Sequence, residues 1–253
     1  MAGKPAKKRL DQLLVERGLV ESLAIAQGLI MAGKVYSLEQ RLDKAGQQIS
    51  ENTALEVRGQ DHPWVSRGGL KLAHGLAEFS LSVDGCTAVD IGASTGGFTD
   101  VLVQSGAARV YAVDVGQGQL AWKLRTDARV IVLEKTNARH LSAETITDAP
   151  DIIVCDASFI GLQTVLPAAM ALAGPGAHLV ALIKPQFEVA RHQVSEGGVV
   201  RDPALHEQVC ETTKRWINET PGWTVIGLTT SPIKGPEGNV EFLIAARKVG
   251  TQG

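Results

Sequence analysis

The sequence predicts an α/β protein, a doubly wound sheet of seven strands preceded by a small N-terminal α+β domain, and three features predict it. Apolar strand-like runs alternate with helical stretches through most of the chain after Pro63. A glycine-rich turn, Asp90-Ile91-Gly92-Ala93-Ser94-Thr95-Gly96-Gly97, joins the first of those runs to the helix behind it. Ahead of them, residues 1–60 hold only short helical and β segments, too little material for an enzyme core.

In the first domain, Leu10, Leu13 and Leu14 recur at helical spacing; Gly18 ends that helix, Ser22 caps the next and Gly33 closes it. Val35 and Tyr36, then Ile49, Leu55 and Val57, lie among turn residues, as small paired strands do. Nine Lys/Arg stand against seven Asp/Glu in residues 1–60, with Lys4, Lys7, Lys8 and Arg9 together at the start. On charge alone such a group is a solvated tail. The polar, proline-containing segment from Gly59 to Pro63 marks the boundary, which divides the chain into 1–60, a linker 61–65 and a second domain 66–253.

A helix at about 69–79 opens the second domain. Its apolar residues Leu72, Leu76 and Phe79 face inward, which leaves Lys71 on the polar side with His74 and Glu78. The seven strands then follow: Ala88 to Ile91, Arg109 to Val115, Arg129 to Leu133, Ile152 to Cys155, His178 to Ile183, Thr224 to Leu228 and Glu241 to Ala246. Most spacers are long enough for parallel crossovers, and the last two strands are close enough to pair antiparallel.

Composition narrows the function classes. Cys86, Cys155 and Cys210 stand far apart, which suggests neither a disulfide framework nor a zinc site and fits a reducing compartment. The N-terminal lysines precede no apolar signal core, so the expected location is the cytoplasm. Between Asp156 and Lys184 no charged Asp, Glu, Lys or Arg occurs, but Pro167 and Gly174-Pro175-Gly176 divide the stretch, so it reads as a buried helix and a buried strand and not as a membrane span. A net charge of -2 carries no global nucleic-acid signature.

The glycine turn has the spacing D-x-G-x-x-x-G-G, not the dinucleotide GxGxxG. Glycine there lets backbone N–H groups approach a ligand, and the leading Asp90 suits a cofactor with a positively charged amino-acid moiety. Asp114 ends the second strand, 22 residues after Gly92, where an acid can accept both hydroxyls of an adenosine ribose. Asn137, after the third strand, is placed to contact the adenine region. Together these positions indicate a nucleoside cofactor in a Rossmann-like crevice. Asp156 and Lys184 each follow an apolar strand and are expected as neighbours at its carboxyl end, where an ordinary ion pair is the plainer reading. Glu241 is odder, since it precedes a strongly apolar strand.

The segments Val65-Ser66-Arg67-Gly68-Gly69-Leu70-Lys71-Leu72, Asp90 to Thr99, Asp156-Ala157-Ser158-Phe159-Ile160, Lys184-Pro185-Gln186-Phe187-Glu188 and Gly238-Asn239-Val240-Glu241-Phe242 resemble, in combination, the TlyA family of ribosomal RNA 2'-O-methyltransferases. That family joins an S4-type RNA-binding domain to an FtsJ-like methyltransferase domain. The resemblance implies S-adenosylmethionine as cofactor, held by Asp90, Gly92, Ser94, Thr95, Gly96, Gly97, Phe98, Asp114, Asn137 and Asp156, and a Lys71, Asp156, Lys184, Glu241 tetrad. A ribose 2'-hydroxyl must be held in line with the methyl sulfonium and relieved of its proton, and the resemblance makes Lys184 the proton acceptor or alkoxide stabiliser, with Asp156 and Glu241 orienting the cluster. It favours a cytidine ribose in 16S or 23S ribosomal RNA, alone or in ribosomal subunits.

The first domain resembles S4 domains through Arg9-Leu10-Asp11, Ser22, Ala26, Leu29-Ile30, Gly33-Lys34-Val35 and Lys44-Ala45-Gly46. Leu23 stands where a basic residue usually follows the serine, and Ser37-Leu38 replaces the usual Asn-Gly. The RNA surface is therefore expected on Lys7, Lys8, Arg9, Lys34, Arg41 and Lys44, with Arg67, chiefly as phosphate contacts. The linker region Asp61-His62-Pro63-Trp64-Val65 resembles a coupling segment of the family, and the resemblance makes Trp64 its anchor. Three other readings compete: a non-catalytic RNA-binding or ribosome-assembly factor, an NAD-dependent oxidoreductase, disfavoured by the missing GxGxxG, and a haemolysin, the label some relatives carry.

Overall fold

The computed structural model describes residues 7–17, 19–20, 22–38, 40–58, 62–235 and 238–249. Gly18 and the boundary residues 59–61 lie outside them, as does Lys4. In the first unit β1 (Lys7–Arg9) leads into α1 (Leu10–Glu16) and α2 (Leu23–Met31), followed by β2 (Val35–Ser37), β3 (Gln40–Arg41), β4 (Gln48–Ser50) and β5 (Glu56–Val57). Ser22 caps α2, its Oγ accepting the Ile25 N–H at 3.3 Å. β1 pairs antiparallel with β4, and β2 lies between β3 and β5. Leu10, Leu13, Leu14, Ala26, Ile30 and Val35 form a core of their own. At the β2–β3 turn, Leu38 takes a left-handed φ of +53° while its side chain stays exposed, the conformation for which Asn or Gly is the usual choice.

The second unit runs α3 (Gly68–Glu78), β6 (Thr87–Ile91), α4 (Gly97–Gln104), β7 (Arg109–Val113), α5 (Trp122–Arg125), β8 (Val130–Leu133) and β9 (Ile152–Cys155). It continues with α6 (Leu162–Val165), α7 (Pro167–Leu172), β10 (His178–Ile183), α8 (Pro185–Glu188), α9 (Pro203–Glu219), β11 (Trp223–Thr230) and β12 (Phe242–Lys248). The seven strands form one sheet in the order β11-β12-β10-β9-β6-β7-β8. The five strands from β10 to β8 are parallel, and β12 runs antiparallel to both β10 and β11. The chain reverses direction across the sheet at β6, whose neighbours are β7 and β9, so the ligand crevice belongs at the carboxyl ends of β6 and β9.

Period-two alternation divides the strand residues between two cores. Val89, Ile91, Ile153, Cys155, Leu179, Ala181, Ile183 and Ile244 pack on the face covered by α7 and α9. Ala88, Ile152, Val154, Val180, Leu182, Leu243 and Ala245 pack on the other, beneath Leu72 and Leu76 of α3 and Phe98, Val101 and Leu102 of α4. The uncharged stretch between Asp156 and Lys184 forms two short helices, α6 and α7, separated at Pro167, and then the buried β10. Among the described residues no helix is long and apolar enough to cross a membrane.

Two expectations need correction. Lys71 does not share the polar side of α3 with His74 and Glu78; it is buried beside Leu72 and Gly75 and points into the sheet end. Trp64 and Val65, expected in the linker, pack in the core of the second unit, with Val65 buried.

Candidate active site

The glycine turn begins where β6 ends. Gly92 and Gly96 adopt φ of +80° and +98°, and Gly96 caps α4 without a side chain. Tight packing within the protein demands these glycines as much as a ligand would. A Cβ on Gly92 would meet Ala157 Cα at 2.9 Å, one on Gly96 would strike Leu124, and one on Gly97 would strike Ser66 Oγ. The turn is thereby locked against the β9 loop, α5 and the segment that enters α3.

Asp90 lies under this turn, fully buried, and lines neither of the clefts described below. Its Oδ2 accepts the Thr99 hydroxyl at 2.6 Å, while Oδ1 is buried without a partner. Burial pushes the Asp90 carboxyl up to about 7, against the Thr99 hydrogen bond and with the nearby Asp156 charge adding to the rise. Asp114 accepts the Ser94 N–H on Oδ2 at 2.8 Å and the Gly116 N–H on Oδ1 at 2.7 Å, so the end of β7 is tied to the turn. Asn137 uses its Oδ1 to accept the Arg139 N–H at 3.1 Å.

Above the turn opens a cleft of about 760 Å³ lined by Gly92 to Thr95, Gly97, Phe98, Ser66 to Gly68, Lys71, Gln119, Asp156, Ser158 and Lys184, among others. A second, of about 340 Å³, is lined by Asp114, Val115, Asn137, Ala157, Phe159 and Ile160, among others. Gly92, Ser94, Gln119, Asp156 and Ser158 border both. The pair forms a slot that is charged beside Lys71, Asp156 and Lys184 and apolar beside Val115, Phe159 and Ile160, which suits an elongated ligand with a polar head and an aromatic base.

Four charges stand at one side of this slot, and the fold explains why they meet. Residues 152, 154 and 156, residues 180, 182 and 184, and residues 241, 243 and 245 share the parity of the face that α3 covers. The β10–β12 register sets Ile183 opposite Phe242, so antiparallel β12 brings Glu241 to the carboxyl end of β10. Lys71 reaches down from α3. Its Nζ lies 2.6 Å from Glu241 Oε2 and 3.7 Å from Asp156 Oδ2, and Lys184 Nζ lies 2.6 Å from Asp156 Oδ1. Lys184 also donates to the Asp156 carbonyl at 3.0 Å and to Ser158 Oγ at 2.9 Å. The carboxylate contacts are ionic and not aligned as hydrogen bonds: Asp156 Oδ1 and both Glu241 oxygens keep buried acceptor capacity. Asp156 thus bridges two buried lysines, and Glu241 closes the far end of the row.

Residues 64–248 match the FtsJ-like methyltransferase family, and residues 8–55 match the S4 domain. A 16S/23S rRNA (cytidine-2'-O)-methyltransferase TlyA of Mycobacterium tuberculosis is 48% identical over 242 residues, 95% of this chain and 90% of that protein. The chain belongs to the TlyA family of FtsJ-like methyltransferases. Another TlyA-family relative, Hemolysin A of Brachyspira hyodysenteriae, is 41% identical over 93% of this chain and 98% of its own length. A solved structure of a candidate hemolysin from Streptococcus thermophilus superposes with a TM-score of 0.75 at 45% identity, covering 96% of this chain and 89% of that one.

The basic residues expected to meet RNA fall into separate groups. Lys7, Lys8 and Arg9 lie on β1, and the turn that carries Lys44 sits beside them, with the Asp11 N–H bonded to the Ala45 carbonyl. Two of these cations are engaged by acids: Lys8 Nζ lies 2.5 Å from Glu16, and Arg9 grips the buried Asp11 through two hydrogen bonds of 3.0 and 2.7 Å. Arg41 packs over Gly33 beside Lys34, and Arg67 lines the larger cleft.

Sequence reasoning missed Asp100. This buried carboxylate accepts the Val65 N–H at 2.8 Å and pairs with Lys123 Nζ at 2.8 Å, pinning the linker to α4. Its only sequence signal is a charge inside the apolar stretch Phe98 to Val103.

Proposed function

We propose that this protein transfers a methyl group from S-adenosylmethionine to the 2'-hydroxyl of a cytidine ribose in ribosomal RNA, in the small subunit, the large subunit or both. The observation that carries this reading is the row Glu241–Lys71–Asp156–Lys184 at the edge of the slot floored by the glycine turn. The residues present fit the cofactor, because the glycine turn and Asp156 border a cleft that joins an apolar pocket beside Asp114 and Asn137.

S-adenosylmethionine bound there supplies an electrophilic methyl on a sulfonium. The chain does the rest. Gly92 to Phe98 and Asp156 hold the amino-acid part, and Asp114, whose oxygens each accept one backbone N–H and retain a lone pair, takes the ribose hydroxyls. Lys184 receives the proton of the attacking hydroxyl, while Asp156 and Glu241 hold the two lysines at fixed separation. The S4 domain, residues 1–60, brings RNA to the catalytic domain, residues 66–253, through Lys7, Lys34, Arg41, Lys44 and Arg67 with Lys8 and Arg9 beside them. A cytoplasmic location, beside the ribosomal RNA, is part of this reading.

The test is ribose-methylation mapping of ribosomal RNA treated with the purified protein and labelled cofactor. Wild type should modify a cytidine, and Lys184→Ala and Lys184→Met should not, with RNA binding unchanged. Active Lys184 variants would overturn the assignment. Ribosome binding without cofactor binding by calorimetry would favour an assembly factor instead.

A further inference from the structure

Lys184, which lines the larger half of the slot, is in hydrogen-bond contact with the Ser158 hydroxyl. The lysine side chain is 7% exposed, and three protein acceptors surround its Nζ: Asp156 Oδ1, the Asp156 carbonyl and Ser158 Oγ. A carbonyl can only accept, and so can an ionised carboxylate; a hydroxyl can accept from an ammonium and donate to an amine. Ser158 is also the exposed member of the three. It borders both halves of the slot, next to the point where they join. Its loop is held from behind, because Glu188 Oε1 accepts the Leu162 N–H at 2.8 Å.

We propose that Ser158 is a catalytic residue that relays the ribose 2'-hydroxyl proton to Lys184, an inference that rests on the methyl-transfer reading above. The relay requires that Lys184 first give a proton to solvent, after which the Ser158 hydroxyl turns to donate to Nζ. As the ribose oxygen bonds to the methyl carbon, the bond from sulfur to that carbon breaks and its electron pair stays on sulfur. The O2'–H proton passes to Ser158 Oγ while the original Ser158 proton passes to Nζ. The products are the methyl ether, a neutral thioether and the Lys184 ammonium, which returns its proton to solvent after product leaves. Charge and atoms balance without a further reactant.

The experiment is single-turnover methylation of ribosomal subunits by the full chain, run in mixtures of light and heavy water, with cofactor affinity measured by calorimetry. Ser158→Ala should lower the transfer rate by about 100-fold, the lower end for a proton-transfer group, at unchanged cofactor affinity. Ser158→Thr, which keeps the hydroxyl, should restore the rate to within a few-fold. The wild-type rate should curve against heavy-water fraction, as two moving protons require, and that of Ser158→Ala should be linear. A Ser158→Ala rate within about twofold of wild type, or a loss matched by lost cofactor affinity, overturns the relay alone. A wild-type chain that methylates nothing removes the parent reading and the relay with it.

Discussion

Lys71 Nζ and Glu241 Oε2 lie 2.6 Å apart with side chains that are 6% and 0% exposed, so helix α3 is joined to the start of β12 by an ion pair removed from water. Removing the lysine strands Glu241 in the interior, at a cost of about 3–5 kcal/mol, whereas removing Glu241 leaves Lys71 beside Asp156 at 3.7 Å. Lys71→Met should lower stability by that amount in urea titrations, and Glu241→Met by less. The double variant should regain most of it and still transfer no methyl, which separates a structural loss from a catalytic one.

Stability should fall as pH rises through the range where Asp90 titrates. Burial pushes the carboxyl up from its ordinary value of 3.8 to about 7 in the folded protein, so between those values the native state keeps a proton that the unfolded chain releases. The stabilisation is complete below the lower value, declines through the window and is gone above the upper one. Asp90→Asn, which keeps an acceptor for Thr99, should show a flatter profile of melting temperature against pH; parallel profiles would refute this.

Gly69 should tolerate no side chain. A Cβ there would lie 2.6 Å from Trp64 Cγ, and moving an indole packed on the core costs about 1–3 kcal/mol. Gly69→Ala should destabilise by that amount and weaken cofactor binding, because Ser66 to Gly68 form one wall of the slot. Trp64→Leu in the same chain should recover part of the stability.

The basic residues of the first unit should divide by experiment. Lys7→Ala and Lys44→Ala, both exposed, should weaken RNA binding and lower the slope of log affinity against log salt by about one each. Arg9→Ala should act first on folding, since Arg9 holds the buried Asp11 carboxyl well below the usual carboxylate range. A lowered unfolding midpoint for Arg9→Ala alone is the expected result.

Much of this molecule was legible in one dimension. The apolar runs place all seven strands within about two residues of where they form, and Ser22 marks the start of α2 as a side-chain cap does. The clean alternation of buried residues also carried a parity that groups Asp156, Lys184 and Glu241 with the Leu182 and Leu243 face. Lys71 was misplaced because an amphipathic pattern assigns a lysine to water by default, and helical periodicity cannot show that an acid waits on the buried side. Asp100 was missed for the same reason.

Which segments become strands and helices, where the glycine turn falls and which residue types stand at strand ends follow from local periodicity and backbone preference. The contacts that join four charges up to 170 positions apart into one row belong to the folded chain. That required α3 to cover one particular face of the sheet and β12 to return antiparallel beside β10, so that Glu241, just ahead of β12, comes to the same end of the sheet as Lys184 and meets Lys71 there. Ion-pair partners are chosen by through-space distance in a dry interior, which no spacing along the chain encodes.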